Sequence, residues 1–267
     1  MFPLLFLSLL LAEGRGQEID PQTDQTRQEL LSKLASGDEE QRIDSIVRIG
    51  ALLHNDPEVI ETSVIESLVA ALQRDSSPVV RALAAMALEI CAGNKGAGRS
   101  DQAVTALLTA LGKERELAAQ KAIIYALARY PQPRVTSALI PFLKNRRSEL
   151  KAAAAYALAE GGDPDSAPAL AEVLRRGGKD KDAFARSQAA RGLGRIGGHD
   201  SIDLLIDVLS DDKSQEVRRE AALSISRIAT SQDTKAIEAL RKAALSNDPY
   251  LVSVAEKAIV SVNSRNP

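Results

Sequence analysis

Apolar residues recur along the chain at helical spacing, in segments that come in pairs. The first member of each pair reads Ile65, Leu68, Val69, Leu72; Val104, Leu107, Leu108, Leu111; Leu139, Phe142, Leu143; Leu170, Val173, Leu174; and Leu204, Leu205, Val208, Leu209. Steps of three and four place each group on one face of a helix. The second member is a recurring string, clearest as VRALAAMAL from Val80 to Leu88. Related strings run from Ala119 to Leu127, Leu150 to Leu158, Ala185 to Leu193 and Glu216 to Ile225, with fainter ones at Gln41 to Ile49 and Leu251 to Ile259. A register residue, Arg or its substitute, falls at Arg42, Arg81, Gln120, Lys151, Arg186, Arg218 and Val252, with spacings of 39, 39, 31, 35, 32 and 34 residues. Asp, Ser and Gly collect between the helices, and Gly93, Pro131, Gly161, Gly162, Gly197 and Gly198 end the second ones. The pattern predicts an all-α chain of about seven two-helix units, hence about fourteen helices, with no strand signal and no room for a separate catalytic domain.

Offsets from the register residue assign the faces of the second helix. Offset 3 (Ala84, Ile123, Ala154, Ala189, Ala221), offset 7 (Leu88, Leu127, Leu158, Leu193, Ile225) and offset 10 (Cys91, Tyr130, Ile196, Ile228) share one face and predict the core. Small residues at offsets 4 and 6 (Ala85, Ala87, Ala155, Ala157, Ala190, Gly192, Ala222, Ser224) predict close approach between neighbouring units. This accounts for a chain that is 45% hydrophobic yet only 3% aromatic, without Trp.

The turn Asp, the VRxxAAxAL string and the Gly-rich stop resemble the HEAT repeat, in its short PBS-lyase-like form, over roughly residues 25–263. The resemblance implies a right-handed α-solenoid. It also implies a polar ladder between neighbouring repeats, built from a turn Asp and a helix Arg six residues on. The matching pairs are Asp75 with Arg81, Asp180 with Arg186, and Asp212 with Arg218. Asn145 with Lys151 and Glu114 with Gln120 depart from the pattern, and the divergent end units suit capping repeats.

Ahead of the repeats, Phe2 to Ala12 (FPLLFLSLLLA) is apolar apart from Ser8 and is about half the roughly 20 residues of a membrane-spanning helix. With the small and polar residues that follow, it reads as a signal peptide over residues 1–16, cleaved after Gly14 or Gly16. A polar linker over 17–24, the repeats over 25–263 and a tail over 264–267 complete the expected organisation, and the expected location is secreted or periplasmic, without stable membrane insertion after cleavage. A lone Cys91 in the inward column fits an oxidising compartment if it is buried and inert.

Charge and candidate chemistry narrow the function. With 34 Lys and Arg against 36 Asp and Glu, the net charge is −2, which argues against nucleic acid as a partner. One Cys and two His leave no structural zinc set. Di-iron hydroxylases built from HEAT-like repeats use several His-Glu dipeptides; the dipeptides here are His54-Asn55 and His199-Asp200, so no metal, cofactor or catalytic residue is expected. The glycines Gly93, Gly96 and Gly98 follow no strand and read as a connector, not a phosphate cradle.

Offsets 5 and 9 of the second helices are free of core packing. Offset 5 reads Met86, Tyr125, Tyr156, Arg191, Leu223; offset 9 reads Ile90, Arg129, Glu160, Arg195, Arg227. Tyr125, Arg129, Tyr156, Arg191, Arg195 and Arg227 thus form stripes of the residue types enriched at binding hot spots. Residues 1–74 hold 6 basic and 13 acidic side chains, whereas residues 95–195 hold 18 and 10, so a protein partner with an acidic segment, or an anionic polysaccharide or membrane surface, is steered to the middle of the chain. The leading expectation is a non-catalytic protein-binding scaffold; the alternative is an enzyme or cofactor-handling accessory related to bilin lyases or HEAT-type hydroxylases.

Overall fold

A computed structural model of the chain describes residues 24–55, 62–93, 97–176 and 182–265. The expected signal peptide, Asp180 and Gly96 lie outside the described residues. The chain divides into two compact units, Met1–Tyr130 and Pro131–Pro267. Fourteen α-helices and no strand are found among the described residues.

The first unit holds three helix pairs: α1 (Asp24–Ser36) with α2 (Glu39–Asn55), α3 (Thr62–Arg74) with α4 (Pro78–Ile90), and α5 (Ala97–Lys113) with α6 (Leu117–Leu127). The second holds four: α7 (Pro133–Leu139) with α8 (Ser148–Gly161), α9 (Ala167–Arg175) with α10 (Ala183–Ile196), α11 (Ile202–Asp211) with α12 (Gln215–Ile228), and α13 (Thr234–Ala243) with α14 (Pro249–Ser264). In each unit, second helices stack on second helices, α2 on α4 on α6 and α8 on α10 on α12 on α14. This is the all-α solenoid expected, a stack of two-helix repeats.

Local chemistry fixes the helix ends. Ser77 caps α4, its hydroxyl accepting from the amides of Val79 and Val80, and Pro78 takes the first turn, where its missing N–H costs nothing. Gly162 and Gly197 adopt φ of 63° and 79° and close α8 and α10, each donating its amide to the carbonyl four residues back. The expected first helix of the fourth repeat is cut short: α7 stops at Leu139, and Ile140–Lys144 continue as a 3-10 turn, because Pro141 has no N–H for the ladder.

Offsets 7 and 3 of the second helices form the core, as expected. Leu88, Leu127, Leu158, Leu193 and Ile225 are buried, as are Ala84, Ala154, Ala189 and Ala221. A Cβ on Gly192 would stand 3.1 Å from Cα of Ala159 in the preceding second helix, and one on Gly194 would stand 2.7 Å from Cα of Ser224 in the following one. Cys91 is buried, and burial pushes its thiol up to about 12, so the thiol stays protonated and inert.

Candidate functional site

The register Arg of α2 and that of α4 each do two things at once. On α2, Arg42 donates Nη1 to the carbonyl of Gly37 at its own turn (2.9 Å), and Nε and Nη2 to both carboxylate oxygens of Asp75 in the next turn (2.7 and 3.0 Å). Arg81 repeats this with the carbonyl of Asp75 (2.9 Å) and the carboxylate of Glu114 (2.7 and 3.0 Å). Glu114 also accepts from the amides of Arg115 and Glu116, and the Arg81 guanidinium, against burial, holds its carboxyl down to about 2. In the second unit Arg186 binds Asp212 through two bonds of 2.7 and 3.0 Å, both partners 4% exposed. Bidentate, shielded pairs of this kind are the strong ones.

The expected ladder pairs therefore need correcting. Asp75 and Arg81, and Asp212 and Arg218, lie in one repeat and meet through the backbone carbonyl of the Asp, at 2.9 and 2.7 Å. Each carboxylate instead goes to an Arg of the preceding repeat. The carboxylate also accepts the amide two residues on, 2.8 Å for both Ser77 and Ser214, which turns it away from its own helix. In the sixth repeat the roles split. Arg218 holds the turn carbonyl, while Arg219 reaches Asp248 (2.9 and 2.7 Å) and lies 4.9 Å over the Tyr250 ring. Glu114, read from sequence as a departure, is a full member, and Gln120 donates to its carbonyl at 2.9 Å.

The stripe of Tyr and Arg residues is divided between the units. Tyr125 is half-buried on α6, and Arg129 follows it, exposed. Arg129 opposes the burial that raises the nearby Glu89 carboxyl. In the second unit, Tyr156 and Glu160 stand on α8, Arg191 and Arg195 on α10, and Arg227 on α12. Glu160 gathers two of these: Arg191 Nη2 lies 3.0 Å from Oε1, and Arg195 Nη1 lies 3.1 Å from Oε2, with Arg195 Nη2 also 3.2 Å from the Glu160 carbonyl. Burial raises the carboxyl of Glu220 on α12, against the opposing pull of Arg191 and Arg227. Sequence offsets placed Glu160 in the stripe but gave no sign that it anchors its neighbours.

His54 is exposed at the end of α2. His199, in the 3-10 turn His199–Ser201, has Nε2 2.9 Å from Asp233 Oδ1. Among the described residues, no three His, Cys, Asp or Glu gather to hold a metal ion, and no helix is long and apolar enough to cross a membrane.

Three curated relatives share parts of this sequence. A deoxyhypusine hydroxylase of Aspergillus oryzae (strain ATCC 42149 / RIB 40) is 36% identical over 80 residues, covering 30% of this chain and 23% of the relative. Deoxyhypusine hydroxylase-B of Oryza sativa subsp. japonica is 34% identical over 115 residues (43% and 37%), and the Arabidopsis thaliana deoxyhypusine hydroxylase 32% over 105 (39% and 33%). The chain thus spans between about a quarter and two fifths of these relatives. Their being enzymes overturns the expectation of a non-catalytic scaffold with no part in catalysis. The metal centre that the hydroxylase resemblance implies is not matched here: His54 and His199 are the chain's two histidines, they fall in different units, and neither is followed by Glu.

Among solved structures, the complex of CpcE and CpcF of phycocyanin lyase from Nostoc sp. PCC7120 aligns with a TM-score of 0.53 at 18% identity, over 93% of this chain and 97% of that one. Kap121p aligns with a TM-score of 0.62 at 15% identity, over 88% and 29%. At these identities the likeness is one of fold. The HEAT repeats family matches residues 65–159, 104–183 and 179–260. With its stacked helix pairs and these three overlapping matches, the chain belongs to the HEAT repeats family.

Proposed function

We propose that this chain serves in the enzymatic modification of a protein, in the manner of a hydroxylase-related enzyme or its accessory, and that its helical repeats hold the protein substrate. The observation that carries the reading is the 34% identity over 115 residues with a deoxyhypusine hydroxylase. The CpcE and CpcF complex of phycocyanin lyase supports a protein partner for a fold of this kind. His54 and His199, in different units, do not fit a metal centre.

The part of this chain is binding and orientation. Arg195 and Arg227, exposed on α10 and α12, attract an acidic segment of the substrate, and the half-buried Tyr156 ring on α8 offers an apolar rest beside them. Residues 1–16 act as a cleaved export signal in this reading, which makes the protein secreted or periplasmic.

Peptide mass spectrometry of the exported proteins of native cells, with and without the gene, tests the proposal. A protein residue that gains mass only when the chain is present is the expected result. Identical modification patterns in both cell lines reject the enzymatic role.

A further inference from the structure

The second-helix face of the second unit is not a uniform basic stripe. Positions at offsets 2, 5 and 9 form a small grid: Ala153, Tyr156 and Glu160 on α8; Gln188, Arg191 and Arg195 on α10; Glu220, Leu223 and Arg227 on α12. In it Glu160 faces two guanidinium groups with one negative charge, leaving one positive charge uncompensated. Oε1, shielded from water, meets Arg191 in a charge contact of 3.0 Å that falls outside hydrogen-bond geometry. Arg191 and Arg195 remain open to water, with side chains 35% and 39% exposed, in contrast to the 4% of the Arg186–Asp212 pair.

The outward charge of the face is positive, because Arg195, Arg227 and Lys257 are exposed while Glu160 and Glu220 sit lower.

We propose that Glu160 is an internal stand-in for a ligand carboxylate, and that the occupant of this face is an acidic peptide segment. This rests on the reading of the face as a protein-substrate site. An incoming carboxylate takes Arg195 and Arg191 from Glu160. Glu160 thereby sets selectivity. It keeps the arginines positioned when the face is empty and lets go only to a carboxylate that competes with it, so single, weakly held anions are rejected.

A fluorescein-labelled hexaglutamate peptide, titrated by anisotropy at low and physiological salt, provides the test. The unaltered chain binds it. Arg195→Glu with Arg227→Glu abolishes binding, and Glu160→Gln tightens it by roughly two- to fivefold, the worth of a partly exposed ion pair. Glu160→Ala, which cannot hydrogen-bond in place of the carboxylate, shifts affinity in the same direction, and helicity is checked by circular dichroism. If the unaltered chain binds but both Glu160 variants bind equally or more weakly while still folded, the stand-in role is overturned. If the unaltered chain does not bind, the acidic-segment reading fails and this inference with it, whatever the mass-spectrometric result.

Discussion

A guanidinium that meets a carbonyl and a carboxylate together ties one turn to the next, and its worth depends on shielding. Arg81 with Glu114 and Arg186 with Asp212 are shielded on both sides, so removing one partner strands a buried charge. Arg81→Ala and Arg186→Ala should each lower stability by roughly 3 kcal/mol, against under about 1 kcal/mol for Arg195→Ala, whose pair is open to water. Urea midpoints measure all three, and equal losses would remove the distinction. The pH dependence has a definite sign. Glu114 is held down to about 2 in the folded chain, below the roughly 4.3 of an unfolded Glu. Its pair is therefore fully stabilising above the unfolded value and is lost as the pH falls toward 2. Glu114→Gln should remove that part of the acid dependence, seen as a flatter stability curve between about pH 5 and 2.

Helix faces were legible from spacing because burial acts within one element: every offset 7 residue from Leu88 to Ile225 is buried, as the period alone required. Partners between elements were less so. The carboxylate bound by a ladder Arg lies 33, 33, 26 or 29 residues ahead, according to the length of the intervening turn and first helix. A motif that looks six residues back finds only the carbonyl. The shift from Arg218 to Arg219 shows the same limit, since both residues are arginine and only the position of Asp248 chooses between them. Close approach of the second helices sets Gly194 apart from Gly112. A Cβ on Gly194 would meet Ser224 at 2.5–2.7 Å, so Gly194→Ala should cost roughly 2 kcal/mol through forced separation of α10 and α12. Gly112, within α5, has nothing within 4 Å, and Gly112→Ala should raise stability by roughly 0.5–1 kcal/mol. Thermal melts of the two variants should move in opposite directions; a loss in both would mean that α5 packs against something its surroundings do not show.

At the scale of the molecule, the described turn carboxylates are committed to arginines of neighbouring repeats, and this bears on what the chain can ligate. A repeat architecture carries many functions, and no spacing in the sequence distinguished a binding surface from part of an enzyme; the enzymatic reading proposed above rests on stretches shared with relatives that are hydroxylases. What the sequence does limit is the ligand supply. Two histidines serve 267 residues: His54 is exposed at a helix end, and His199 is already 2.9 Å from Asp233. The buried turn carboxylates Asp75, Glu114, Asp212 and Asp248 are each taken by an arginine, and Glu160 by two. A pair of irons needs imidazole and carboxylate ligands brought together from facing helices, and freeing such carboxylates would break the ladder that holds the helices in place. Purified chain, loaded anaerobically with ferrous iron and desalted, should therefore retain well under one iron per chain, read by elemental analysis. Its thermal midpoint should not rise with iron, since a ligand that does not bind the folded state cannot stabilise it. Two irons per chain, together with a raised midpoint, would mean that the chain assembles a centre from residues outside the ladder, and would return the catalytic step of the proposed modification to this chain itself.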